Sequence, residues 1–79
     1  MKKYVYVATH EDIHRVIGVY SDPSLAVNAI WSLSPRSAFL NSIHEEPTGT
    51  RYILTSSNTG KTFEYFIEKV ELDERFWAV

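Results

Sequence analysis

The chain contains no cysteine among its 79 residues, only three glycines and three prolines, and little net charge. Without cysteine, no disulfide and no thiolate metal site can reinforce the core, and a reducing compartment is the expected setting. No apolar run approaches the roughly 20 residues that cross a bilayer, and the stretch after Met1-Lys2-Lys3 is too short for the core of a secretory leader. The location expected is therefore the cytoplasm, with no membrane partner. A net charge of −2 provides no basic stripe of the kind that displaces counterions from nucleic acid, so nucleic-acid binding is not expected. What the chain does have is aromatic surface: five Tyr, four Phe and two Trp. A chain this short buries only about 60% of the surface that its unfolded form exposes. Some of that aromatic supply is thus available for self-association or a partner.

Tyr4-Val5-Tyr6-Val7-Ala8 is apolar on both faces and reads as a central strand. After a polar loop from His10 to Ile13, a second strand runs to Tyr20 and stops at Ser21-Asp22-Pro23, an N-cap followed by a proline with a helical φ. The helix predicted from about Pro23 to Leu33 carries Leu25, Ala26, Ala29, Ile30 and Leu33 on a stripe about 140° wide, facing the sheet. Val27 and Trp31 fall opposite it. Ser34-Pro35 repeats the cap-and-proline signal, so a short second helix is expected over Arg36–Ile43, with Phe39 and Ile43 on one side, and Trp31 is either capped by that segment or left as a binding anchor. Glu45 to Thr50 reads as loop. Two further strands, Arg51–Thr55 and Lys61–Leu72, flank the turn Ser56-Ser57-Asn58-Thr59-Gly60. The last strand carries Phe63, Tyr65 and Ile67 on one face and Phe66, Val70 and Leu72 on the other. The expected fold is α+β: one domain over residues 1–79, an antiparallel sheet of about four strands in the order ββα(α)ββ, with one main helix on one face.

Three motifs carry a chemical suggestion. His10-Glu11-Asp12-Ile13-His14 matches the zinc-protease pattern H-E-x-x-H, but that chemistry needs both histidines on one helical face, and here they lie between two strands. A polar hairpin loop is the better reading. Gly60-Lys61-Thr62 matches the end of a phosphate-binding loop, yet position 55, where the pattern needs glycine, is Thr55, and strand rather than helix follows. Acid pairs such as Glu45/Glu46 are adjacent in sequence, and neighbouring side chains on a strand or loop diverge into solvent. No catalytic residue, metal ligand or cofactor site is assigned.

The segment Ile17-Gly18-Val19-Tyr20-Ser21 leads into Ala26, Ala29 and Ile30, and the chain closes with Phe66-Ile67-Glu68 through Leu72-Asp73 to Phe76-Trp77. In these features it resembles a family of short uncharacterised proteins from bacteria and their phages, and departs from it between Ser34 and Thr62. The resemblance implies a ββαβ-like fold and a bacterial or phage setting, and supplies no catalytic residues. The expectation is a non-enzymatic protein-binding module, in concrete form a small inhibitor or modulator of a host or defence protein. It would engage a basic partner surface through Glu64, Glu68, Glu71, Asp73 and Glu74, with Trp31, Val27 and Trp77 as apolar anchors. The alternative is a homo-oligomeric structural or small-ligand sensor domain, a homodimer pairing its strand edges.

Overall fold

A computed structural model of the chain describes residues 3–72. Five strands and one helix follow one another as β1 (Lys3–His10), β2 (Arg15–Tyr20), α1 (Pro23–Leu33), β3 (Ala38–Glu46), β4 (Gly49–Ser56) and β5 (Thr62–Leu72), with a single 3-10 turn at Glu11–Ile13 between β1 and β2. The strands form one sheet in the order β2-β1-β5-β4-β3, with every pairing antiparallel. The α+β class expected from the sequence holds, but the sheet has five strands rather than four. The segment expected as a second helix over 36–43 falls largely within β3, and residues 45–50, expected as loop, are the ends of β3 and β4 around a tight turn.

The misreading of β3 has a definite cause. Between Leu40 and Ser42 the register with β4 shifts by one residue, so Asn41 is extra, a β-bulge. The bulge keeps Leu40 and Ile43 on the same face of the sheet, opposite Leu54 and Tyr52. A spacing of three between like-facing apolar residues imitates a helix.

β1 and β5 close the fold, pairing from Lys3↔Leu72 to His10↔Tyr65. One face of the resulting sheet carries the core, in which Ala8, Leu54, Tyr65 and Ile67 meet Ala26 and Ile30 of α1. Asp22 caps α1, accepting the Ser24 N–H at 2.8 Å and the Ser24 hydroxyl at 2.6 Å, with Pro23 in the first turn. These bonds hold the Asp22 carboxyl below the usual aspartate range, the side-chain bond more than the backbone one. The expected core stripe is corrected in detail. Ala26 and Ile30 are buried and Val27 packs against the core, while Leu25 and Leu33 are exposed. α1 touches the sheet along Ala26–Ile30, and Ser34 just beyond it reaches the Tyr65 hydroxyl at 3.5 Å.

Candidate functional site

The faces of the sheet follow from its register, because residues opposed across an antiparallel pair point the same way. The helix side of β4 and β3 carries Tyr52 and Leu54, then Ala38, Leu40, Ile43 and Glu45. α1 packs on β2, β1 and β5, and Leu54 of β4 is buried in the core with Ala26 and Ile30, so among the described residues it is the outer strand β3 that no helix roofs. Its apolar side chains stay open: Leu40 is 42% exposed and Ile43 49%.

The wall of this half-roofed trough is α1. At about 100° per residue, Val27 and Trp31 project from the same flank as Pro23 and Ser34. That flank faces β5 and β4: Ser34 reaches Tyr65, and Pro23 lines a cleft of about 230 Å³ together with Tyr6, Tyr52, Ile67, Glu45 and Lys69. Trp31, 39% exposed, is not covered by a second helix, since the segment expected to cover it is strand β3. Burial raises the phenol of Tyr52 above its ordinary range, with the Glu45 carboxylate adding to the effect. Tyr52, Leu40 and Ile43 thus share one face of β4 and β3 as an apolar strip, with Glu45 on the same face at one end. It can take up an apolar side chain or segment, and it offers no nucleophile–base pair.

The acidic residues expected to act with Trp31 are not gathered beside it. Glu64 and Glu68 project from the opposite face of the sheet, and Glu71 lies on the helix side, opposite Tyr4. Val27, expected opposite the core stripe, is half-buried against the core itself. Asp73, Glu74 and Trp77 lie outside the described residues.

On the face away from α1, Arg51 organises a charge network that sequence reasoning missed. Its Nε donates to Glu46 at 2.6 Å, and its terminal nitrogens donate to Glu64 at 2.6 Å, Glu11 at 3.0 Å and the second Glu46 oxygen at 3.3 Å. The guanidinium also lies 4.9 Å over the Phe66 ring. Glu46 first, then Glu11, hold the Arg51 proton well above even the usual arginine range, and Glu46 is depressed by the same bond. No signal in the sequence marks these partners, which lie 5, 13 and 40 residues from Arg51.

The His10–His14 motif is spent on structure. Its Glu11 is held by Arg51, Asp12 accepts the Glu64 N–H at 3.0 Å where β1 ends and leaves β5 unpaired, and His14 closes the turn in the left-handed region. The His10 ring stacks at 4.6 Å on Tyr65, its buried Nδ1 without a hydrogen bond and 3.9 Å from Asp12. Among the described residues no group of three His, Asp or Glu side chains could hold a metal ion. Gly60, with φ 72°, turns the β4–β5 hairpin, and its N–H donates to Ser56 O at 2.8 Å. The glycine-lysine-threonine segment therefore forms no phosphate cradle.

The fold and this surface define a small α+β domain whose antiparallel sheet is half covered by one helix. No protein-family model, curated protein or solved structure matches the chain. No helix among the described residues is long and apolar enough to cross a membrane.

Proposed function

We propose that this protein is a non-enzymatic, stoichiometric protein-binding module whose docking surface is the unroofed trough between α1 and β3. The observation that carries the reading is that Leu40 and Ile43, on the helix side of the unroofed strand β3, and Trp31, on α1, are each at least 39% exposed. Exposed apolar groups gathered into a patch, rather than scattered, mark interaction surfaces. Tryptophan is among the residue types enriched at binding hot spots. The finer reading is a small phage- or bacteria-encoded inhibitor or modulator of a host or defence protein. It is supported by the small size, the absence of any assembled catalytic group among the described residues, and the resemblance of the Ile17–Ser21 junction to phage and bacterial proteins.

The partner would meet apolar groups first. Glu68 and Glu71, the two described carboxylates of the acidic stretch outside the Arg51 network, would steer encounter from either face of the sheet. The test is affinity capture from bacterial lysate with wild type, Trp31→Ala and Ile43→Glu, and Val19→Lys on the distant edge as control. A stoichiometric partner kept by wild type and Val19→Lys but lost by the other two is the expected result. Capture of only the protein itself, with a dimer by sedimentation, would replace this reading with homo-oligomeric assembly.

A further inference from the structure

Apart from the docking surface, with which it shares no residue, we infer that the cleft between the Glu11–Ile13 turn and the start of β5 binds a free α-amino acid with an apolar side chain. The cleft holds about 320 Å³ and is lined by His10, Asp12, Ile13, Lys61, Thr62 and Phe63. That volume lies at the lower end of the roughly 300–1,000 Å³ of small-molecule sites, which sets the ligand at metabolite size. The lining comes from the two segments whose letters match chemical motifs, His10–His14 and Gly60–Thr62, with Phe63. The fold alone brings them together: Asp12 and Glu64, which hydrogen-bond beside the cleft, lie 52 residues apart in the chain.

Charge selects the ligand class. Asp12 and Lys61 carry opposite charges on the same cleft, yet among the described residues neither forms an ion pair with the other or with any other Lys, Arg, Asp or Glu. Asp12 is fixed by one bond, from the Glu64 N–H to its Oδ2 at 3.0 Å, which leaves its second oxygen open. His10 does not serve as its partner, because the buried Nδ1 stays 3.9 Å away and makes no hydrogen bond. Lys61 is exposed at the rim, its ammonium 5.7 Å from the centre of the Phe63 ring. The two charges of the cleft cancel, so a lone cation or a lone anion leaves one of them unmatched. A neutral zwitterion meets both, its ammonium on Asp12 and its carboxylate on Lys61.

Spacing agrees with this ligand. Asp12 is tied to the backbone of Glu64, three residues on from Lys61, and at about 3.3 Å per residue the two anchor points stand roughly 10 Å apart. The two charged groups of an α-amino acid hang on one carbon, a charge-assisted hydrogen bond of about 2.8 Å extends the reach on each side, and the flexible Lys61 stem takes up the remainder. The amino acid's side chain then meets the half-buried Phe63 ring, which lies between the anchors, and Ile13, 59% exposed. The His10 ring, held 4.6 Å from that of the buried Tyr65, adds a fixed aromatic wall. Covering Ile13 and Phe63 is what an apolar side chain gains, so leucine and phenylalanine should bind more tightly than glycine.

The experiment titrates the intact, isotope-labelled 79-residue protein with L-leucine, L-phenylalanine and glycine, and with N-acetyl-leucine and leucinamide, each of which lacks one of the two charges. Amide chemical shifts locate the site and give the affinity. The expected result is saturable shifts at Asp12, Ile13, Thr62 and Phe63 with leucine and phenylalanine. Glycine and the two single-charge analogues should bind about tenfold or more weakly, and Lys61→Met and Asp12→Asn should each lower leucine affinity by about the same factor. Lys61→Met keeps the apolar stem at an exposed position, so its loss of binding reports the missing charge rather than a missing fold. Absence of saturable shifts at these amides with millimolar leucine and phenylalanine would overturn the inference. Equal binding of leucine and its two analogues would overturn it as well, as would shifts gathered on β3 and Trp31 instead of the cleft.

Discussion

Arg51 draws three carboxylates from three other segments onto one guanidinium, and so ties the Glu11–Ile13 turn, the end of β3 and the start of β5 to β4. Each pair is partly solvated, so the network is worth less than its four hydrogen bonds suggest. Arg51→Met, which keeps the stem over Phe66, should cost about 1 kcal/mol, the scale of exposed ion pairs after solvent screening, read as a lower urea midpoint at unchanged slope. The same contacts set a pH dependence. Glu46 titrates below its ordinary 4.5 in the folded chain because Arg51 binds its charged form. A depressed folded value means that its contribution is complete above 4.5 and is lost as the pH falls through the folded value. Urea midpoints measured from pH 7 to pH 3 should therefore drop at the acid end, and Glu46→Gln should flatten part of that drop. In the core, Ile30 is 2% exposed. Ile30→Ala should cost roughly 2–5 kcal/mol, enough in a domain this small to leave much of it unfolded.

Among the elements, β3 is the one whose sequence misleads. Ala38 to Ile43 carries Leu40 and Ile43 three apart and Phe39 and Ile43 four apart, and only the pairing with β4 shows that a bulge produced that spacing. Asn41 is held in the bulge by a 2.8 Å bond from its Nδ2 to the Thr55 hydroxyl. Deleting Asn41 should restore strict alternation and throw Ile43 to the other face or force a slip of register. The expected outcome is a straighter edge and concentration-dependent association, detected by light scattering. β4 begins at Gly49 for a steric reason: a Cβ there would collide with the backbone carbonyl of Ile67. Gly49→Ala should therefore displace the start of β4 from β5 and distort the cleft beside it, visible as loss of slow-exchanging amides around Glu68. By contrast α1 was legible almost to the residue, because Asp22-Pro23 is a local signal and the capping bonds span only two residues.

For the whole molecule, the decisive fact is that one helix shares a face with five strands. Trp31→Ala should leave the thermal midpoint within a few degrees of wild type, since the ring is 39% exposed, while removing most partner affinity, and thermal melts paired with binding measurements check both halves. The sequence by itself determined one α+β domain, the β1–β2 hairpin, the bounds and cap of α1, the β4–β5 hairpin and the two faces of β5. All of these rest on interactions between near neighbours, where composition and spacing act directly. Only the tertiary structure decided the rest. The register of β1 on β5, more than fifty residues apart, chooses which face of each strand meets α1, and so puts Glu71 on the helix side and Glu64 and Glu68 on the other. The Arg51 network forms because β4 and β5 bring distant carboxylates within reach of one side chain. Leu40 and Ile43 share the helix side because the bulge in β3 turns both that way, and they stay exposed because α1 packs on β2, β1 and β5. Each of these depends on where separate segments come to lie in space, which no local pattern encodes.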